Sequence, residues 1–292
     1  MTKAVNIECL SEIIDQYDLF IIDQWGVLHN GQQGYHYAID CIQKLVLAKK
    51  ILIIISNSSK RKHLSIERLP KLGFDKDNFT EVITSGEMIW QNLYTKSDDF
   101  FKKLGHKCFH LADKTGEDGT QYLDGLKYDF VENIENADFI LACTTLPGWR
   151  TLDYVPILEK GIQKNLPFIC ANPDYESIES STKSLIICMG TIAKLYSDLG
   201  GAVLIMGKPS IEIYKEATKK FKKMNKKRML AIGDSIHHDI KGAINFGIDS
   251  LLITSGIHKS IFNQSSPIWD DSDSDLSKFK IKPTFVCPKF QF

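Results

Sequence analysis

The sequence predicts an α/β fold with a mostly parallel sheet. Short apolar runs rich in Ile, Val and Leu recur along the chain, and none of them alternates apolar with polar residues. Such runs are typical of parallel strands that are buried on both faces. Segments with helical spacing lie between the runs, and this alternation indicates an α/β arrangement. The runs are LFII at 19–22, ILIII at 51–55, FILAC at 139–143, FICA at 168–171, AVLIM at 202–206, MLAI at 229–232 and LLI at 251–253.

Two of the intervening segments show a clear apolar face. In each of them the apolar residues recur three or four positions apart, which is the spacing that places side chains on one side of a helix. We therefore predict a helix in both segments. The predicted faces are Ile39, Ile42 and Val46 in the first segment and Tyr214, Ala217, Phe221 and Met224 in the second.

The composition is that of a globular protein without a strong charge bias. The 292 residues exceed a typical single domain, so one large or two smaller domains are expected. The 36 basic residues balance 36 acidic ones, which gives no attraction to nucleic acid or to an anionic membrane. No apolar stretch approaches the length of a membrane span, and the first residues lack the pattern of a signal peptide. Seven cysteines without a CxxC pair indicate reduced thiols and a cytoplasmic protein.

Polar residues follow four of the predicted strands at the point where each strand ends. Asp23 follows LFII, Ser56 follows ILIII, Lys208 follows AVLIM after one glycine, and Asp234 follows MLAI in the same way. In open parallel sheets the ligand crevice lies beyond the carboxyl ends of the strands, so these side chains are expected to converge. Helix capping alone would explain an aspartate or a serine at such a position, but it does not explain Lys208.

The middle of the chain predicts a second α/β unit. Residues 86–202 contain their own strand and helix signals and separate the second strand end from the third. An insertion between two parts of one site suggests a cap that closes over it. We therefore predict a discontinuous core domain, residues 1–85 and 203–292, and an α/β cap domain, residues 86–202.

The order and spacing of these motifs resemble the haloacid dehalogenase superfamily, in the class with an α/β cap between the second and third motifs (class IIA). The resemblance covers nearly the whole chain, from about residue 18 to about residue 257. The first motif usually reads Asp-x-Asp-Gly-Val/Thr-Leu, and here it has tryptophan in place of the second aspartate. The matching motifs are DQWGVL at Asp23, SNS at Ser56, GKPS at Lys208, GDSIHHDI with Asp234 and Asp239, and NPD at Asn172 to Asp174.

The resemblance implies a nucleophile and a metal site. Asp23 would attack phosphorus and form an aspartyl-phosphate, which splits hydrolysis into two easier steps. Asp23, Asp234 and the main-chain carbonyl of Trp25 would hold Mg²⁺, an ion that prefers hard oxygen ligands. Asp239 would support that shell directly or through water. As an alternative, Asp239 keeps a structural role at the start of a helix.

The resemblance also implies contacts to the phosphoryl group. Lys208 would offset the clustered negative charge and contact a phosphate oxygen, while Ser56 and nearby backbone amides would donate to the remaining oxygens. The NPD triplet could equally form an ordinary turn. The predicted substrate-binding residues are Gly26, Asn57, Ser58, Asn172 and Asp174.

Trp25 departs from the family pattern, because most phosphatases of this superfamily carry an acid there that protonates the leaving oxygen. An indole donates through one N–H and cannot shuttle a proton. Three outcomes remain open: substrates whose leaving group needs no proton, a replacement acid, or a relative that binds a phosphorylated ligand without hydrolysis. Another reaction, at a carbon–halogen or carbon–phosphorus bond, is a further alternative. The candidate replacement acids are His29, His237 and His238.

The sequence thus predicts a Mg²⁺-dependent phosphatase that acts on a small phosphorylated metabolite. The alternative is a low-turnover or non-hydrolytic phosphometabolite-binding protein. We expect neither nucleic acid nor membrane as a partner. Because caps of this class often form dimers, a homodimer through the cap is a further expectation.

Overall fold

The structure is a computed structural model, and it describes residues 4–115, 121–178, 184–262, 269–270 and 278–292. The chain folds into two compact units. The first unit comprises Met1–Ser56, His63–Ile83 and Lys208–Phe292, and the second comprises Asn57–Lys62 and Thr84–Gly207.

Strands and helices alternate along most of the chain. The strands are β1 (Val5–Asn6), β2 (Leu19–Ile22), β3 (Ile51–Ser56), β4 (Glu81–Thr84), β5 (Lys107–Leu111), β6 (Asp129–Phe130), β7 (Phe139–Ala142), β8 (Phe168–Cys170), β9 (Glu176–Ile178), β10 (Leu185–Ile187), β11 (Val203–Ile205), β12 (Met229–Gly233), β13 (Asp249–Ile253) and β14 (Phe285–Cys287). The α-helices are α1 (His36–Leu47), α2 (Lys62–Arg68), α3 (Ser85–Thr95), α4 (Asp99–Lys103), α5 (Val155–Gln163), α6 (Met189–Asp198), α7 (Ile211–Ala217) and α8 (Lys241–Phe246).

The first unit is built on a seven-stranded sheet with the order β1-β14-β13-β12-β2-β3-β4. The pairs β2–β3, β2–β12, β12–β13, β13–β14 and β1–β14 are parallel. The central strands β2 and β12 are buried along their whole length, as the unbroken apolar runs predict. The predicted parallel α/β fold is therefore confirmed.

The helical spacing locates the two predicted helices, but it does not give their buried faces or ends correctly. In α1 the buried residues are Ala38, Cys41, Ile42 and Leu45. Val46, which the spacing assigns to the apolar face, is 37% exposed. The second helix, α7, ends at Ala217, and a short 3-10 turn covers Lys219–Phe221. The helix is therefore shorter than the spacing predicts, and Phe221 and Met224 lie beyond its end.

The second unit contains a five-stranded parallel sheet with the order β11-β8-β7-β5-β6 and a separate antiparallel pair of β9 and β10. Strand β11, which the predicted boundary assigns to the core domain, pairs with β8 in this sheet. The inserted segment is thus an α/β unit, as the fold prediction requires. Among the helices of the described ranges, none is both long and apolar enough to cross a membrane.

Candidate active site

Two aspartates lie side by side at the carboxyl edge of the seven-stranded sheet. Strand β2 ends at Ile22, and the next residue, Asp23, donates its backbone N–H to the carbonyl of Ile232 at 2.9 Å. Because Ile22 pairs with Ile232 in parallel register, Asp234 follows β12 at the same edge as Asp23. Both carboxylates are buried. The predicted convergence at the strand ends is what the parallel register produces.

Lys208 lies between two of the carboxylates. Its Nζ atom is 2.6 Å from Oδ1 of Asp23 and 2.7 Å from Oδ1 of Asp239. The side chain is 2% exposed, so the ammonium group is almost fully removed from water. A lysine in this position is stable only because two anions replace its lost hydration.

The third carboxylate, Asp234, occupies a narrow space between two glycines. A Cβ atom on either Gly26 or Gly256 would lie 2.0 Å from Asp234 Oδ2, so only glycine fits at both positions. The backbone N–H of Ile257 donates to the same oxygen at 2.8 Å. Burial and the neighbouring charges of Asp23 and Asp239 raise the pKa of Asp234 well above its usual range.

These acids fit a divalent cation. Oxygen atoms of Asp23, Asp234 and Asp239 lie within 4.8 Å of one another, and all three residues are buried. One lysine against three carboxylates leaves the cluster with excess negative charge. Carboxylate oxygens are the ligands that Mg²⁺ and other hard cations prefer. A bound divalent cation would offset the charge repulsion that, in addition to burial, raises the pKa of Asp234.

We expect Lys208→Met to destabilise the metal-free protein, because the substitution leaves the buried carboxylates without their cation. Breaking a buried ion pair by removing one partner costs about 3–5 kcal/mol. Mg²⁺ should recover part of the loss, since an ion that binds only the folded state stabilises it. Thermal unfolding with and without Mg²⁺ measures both effects.

Lys44→Met is the matched control, because Lys44 forms an exposed pair with Asp40 on α1. Such a pair contributes about 0–1 kcal/mol, so its loss should leave the unfolding temperature almost unchanged. Equal unfolding temperatures for the two variants would contradict the assigned role of Lys208.

Ser56 and Gly26 also lie in the first unit. Ser56 is the buried last residue of β3, the strand that pairs with β2, so it ends at the same edge as Asp23. Gly26 has a φ of +80°, a conformation that glycine adopts without strain. Its backbone N–H donates to the carbonyl of His29 at 2.9 Å, which closes the turn after Trp25.

The other predicted substrate-binding residues belong to the second unit. The side-chain amide of Asn57 donates to Asp174 Oδ1 at 2.8 Å, and the backbone N–H of Asp174 donates to Asn172 Oδ1 at 3.2 Å. The structure therefore brings Asn57 together with the NPD triplet. Ser58 accepts hydrogen bonds from backbone N–H groups at its carbonyl and its hydroxyl oxygen. Their contacts to substrate stay predictions.

The three histidines considered as replacement acids have local structural contacts. His29 is 2% exposed, its Nδ1 accepts from the backbone N–H of Gly31 at 3.1 Å, and burial lowers its pKa to about 4. His238 donates its backbone N–H to Ser235 Oγ at 3.3 Å. Burial, followed by the neighbouring charges, lowers the pKa of His237. A neutral, buried imidazole such as that of His29 is poorly suited to deliver a proton at neutral pH.

The sequence analysis missed the segment that follows β13. Gly256, Ile257 and His258 lie against Asp234 and the loop that follows it. None of these three residues is an acid, a lysine or a serine, so the pattern of polar residues at strand ends does not include them. The signal available was a short Thr-Ser-Gly-Ile-His stretch immediately after a predicted strand.

A parallel α/β sheet that carries buried acids and a lysine beside them is the arrangement of an enzyme site that fits a divalent cation. The family described as haloacid dehalogenase-like hydrolase matches residues 20–121, which include Asp23 and Ser56. A second family, described as HAD-hydrolase-like, matches residues 205–291, which include Lys208, Asp234 and Asp239. Both matches are to haloacid dehalogenase-like hydrolases, and together they cover most of the chain.

Individual relatives span almost the whole chain. A 4-nitrophenylphosphatase from Schizosaccharomyces pombe is 25% identical over 285 residues, which cover 89% of this chain and 92% of the relative. An acid sugar phosphatase from Staphylococcus aureus is 24% identical and covers 83% of this chain and 88% of its own length. A haloacid dehalogenase-like hydrolase structure from Brucella suis has a TM-score of 0.80 and 29% identity, over 97% of this chain and 99% of that one.

Proposed function

We propose that the protein is a Mg²⁺-dependent phosphatase that hydrolyses a small phosphorylated metabolite through an aspartyl-phosphate on Asp23. The observation that carries the proposal is the buried contact of Lys208 with Asp23 and Asp239 beside a third carboxylate, Asp234. Relatives that span most of the chain are named as phosphatases, which supports the same reaction.

In the proposed reaction the Asp23 carboxylate attacks phosphorus, and the bond from phosphorus to the leaving oxygen breaks. Water then attacks phosphorus of the aspartyl-phosphate and releases inorganic phosphate. Lys208 balances the charge of Asp23 at 2.6 Å. Ser56 and the backbone N–H groups near Gly26 and Asn57 donate to the phosphoryl oxygens.

Asp23, Asp234 and the carbonyl of Trp25 are the proposed Mg²⁺ ligands, with Asp239 in support. The oxygen-only set favours Mg²⁺ over softer metals, which prefer nitrogen and sulfur. When bound, Mg²⁺ neutralises the negative charge that gathers on the phosphoryl oxygens.

We also propose that the inserted unit is the cap domain of class IIA and that the chain belongs to a subgroup with tryptophan, here Trp25, in the first motif. Ser58, Asn172 and Asp174 are the proposed substrate contacts from the inserted unit. All seven cysteines are free, which supports the cytoplasm as the compartment. We also propose that the protein forms a homodimer through the cap. Neither nucleic acid nor a membrane is a partner in this proposal.

The alternative, a phosphometabolite-binding protein with little turnover, rests on Trp25 alone. A missing proton donor slows attack on poor leaving groups, but it leaves the nucleophile and the acids in place. The relatives are named for hydrolysis and lend no support to a binding function.

A panel of aryl, acyl and alkyl phosphates tests the proposed function. We expect phosphate release that requires Mg²⁺, stops when a chelator is added and resumes when Mg²⁺ is restored. Aryl and acyl phosphates should be the best substrates, since their leaving groups need no proton. Release that is unaffected by the chelator would contradict the metal-dependent reaction, and no release from any substrate would favour the binder.

A further inference from the structure

Two consecutive residues after β13, Gly256 and Ile257, lie against Asp234, one of the acids proposed to bind the metal. Gly256 approaches so closely that a Cβ atom there would lie 2.0 Å from Asp234 Oδ2. The backbone N–H of Ile257 donates to the same oxygen at 2.8 Å. The carboxylate is thus held in one orientation by a backbone that belongs to a different strand connection.

His258 holds the loop that joins Asp234 to Asp239. Its Nε2 accepts a hydrogen bond from the backbone N–H of Ile236 at 3.1 Å. Ile236 begins a π-helical turn, Ile236–Ile240, which carries Asp239. Backbone N–H groups at the start of such a turn have no partner within the turn, so an acceptor from outside fixes its position. π-Helical turns are rare in proteins, and those that do occur are often at functional sites.

The surroundings of His258 keep it in the form that can accept this hydrogen bond. The ring packs against Phe279 at 5.6 Å and against His237 at 6.1 Å, measured between ring centroids. Burial, followed by the charges of the neighbouring histidines, lowers its pKa to about 4. The neutral ring with its proton on Nδ1 leaves the Nε2 lone pair free to accept.

The loop has a second fixed contact at its other end. The backbone N–H of Ser235 donates to Asp239 Oδ2 at 3.0 Å, while Asp239 Oδ1 contacts Lys208. A shift of Ile236 would therefore move Asp234 and Asp239 relative to each other. A cation that needs both carboxylates is sensitive to such a shift, because metal affinity depends on the groups that orient the ligands.

We propose that His258 is a positioning residue for the metal site, acting with Gly256 to hold Asp234 and Asp239 in the arrangement that binds Mg²⁺. The inference rests on the proposed function for the metal role of these acids. In this role His258 acts through the backbone of Ile236 and contacts neither the metal nor the substrate directly.

Two substitutions separate the hydrogen bond from the packing of the ring. His258→Phe keeps an aromatic ring against Phe279 but removes the acceptor. His258→Gln places its amide oxygen near the position of Nε2 and restores the acceptor. Mg²⁺ affinity, measured by calorimetry on the full chain, should fall roughly 10- to 100-fold in the first variant and stay close to wild type in the second.

The matched control is His63→Phe, which changes an exposed histidine on α2 in the same way. It should bind Mg²⁺ like wild type. If His258→Phe does not fold, His258→Asn gives the same test, because its shorter amide does not reach Ile236. Gly256→Ala should also weaken Mg²⁺ binding, since its Cβ atom would displace the Asp234 carboxylate.

Hydrogen exchange in the metal-free protein tests His258 apart from the proposed function. The amide of Ile236 should exchange faster in His258→Phe than in wild type and recover its protection in His258→Gln. Wild-type protein that binds no Mg²⁺ would overturn the metal site and with it the positioning role. Wild-type Mg²⁺ affinity in a folded His258→Phe variant, or equal losses in the Phe and Gln variants, would overturn the role of His258 alone.

Discussion

Asp23→Asn should lower kcat by roughly 10⁴-fold or more, because an amide is a very poor nucleophile toward phosphorus and losing a catalytic nucleophile has effects of this size. The variant should remain folded, since asparagine has the shape of aspartate and the substitution removes one of three clustered carboxylates. Steady-state phosphate release with an aryl phosphate and Mg²⁺ measures the change in kcat. Thermal unfolding verifies that the variant is folded.

Asp40→Asn is the control for this substitution. Asp40 lies on α1 and forms an exposed pair with Lys44, so it carries the same chemical change away from the candidate site. We expect its kcat to equal that of wild type. Activity that survives Asp23→Asn would remove Asp23 from the role of nucleophile.

Trp25→Asp should raise the hydrolysis of alkyl phosphates by about 10²-fold or more, at the lower end of the contribution of general acids and bases. The tryptophan lies two residues after Asp23, and its ring contacts the buried His29 edge-on at a centroid distance of 5.6 Å. An aspartate at this position would protonate the leaving oxygen, which the indole cannot do. Aryl phosphates should gain less, because their leaving groups need less help.

A series of substituted phenyl phosphates makes this prediction sharper. In wild type, kcat/KM should fall steeply as the pKa of the leaving phenol rises, and in Trp25→Asp the dependence should become shallow. Trp25→Asn is the matched control, since asparagine has the size of aspartate but carries no proton to transfer. Equal slopes in wild type and Trp25→Asp would mean that another group already supplies the proton or that the cycle does not use one.

The sequence predicted the parts of the structure that depend on residues close to one another in the chain. Apolar runs without alternation identified the buried parallel strands, and parallel strands bring their carboxyl ends to one edge of the sheet. This reasoning placed Asp23 and Asp234 at one edge of the seven-stranded sheet. It did not account for Lys208, which follows β11 of the other sheet, or for Asp239, which lies in the turn after Asp234 and follows no strand. The same reasoning did not give the buried face of α1, where spacing alone selected Val46 and the packing buries Leu45 instead.

Contacts between residues far apart in the chain could not be predicted from the sequence. The hydrogen bond from Ile236 to His258 and the close approach of Gly256 to Asp234 depend on the path of the chain after β13. The Asn57–Asp174 hydrogen bond joins residues 117 positions apart. No local propensity or spacing encodes such contacts, because they arise only when the sheet has set the separation of the strand ends.

The most direct test of the account is to locate phosphate on the chain during turnover. Wild-type protein with Mg²⁺ and a labelled aryl phosphate is quenched in acid, and the labelled peptide is identified. We predict label on Asp23 that forms before phosphate release and is absent from Asp23→Asn. Label on another residue, or none in a chain that is turning over, would contradict the aspartyl-phosphate reaction.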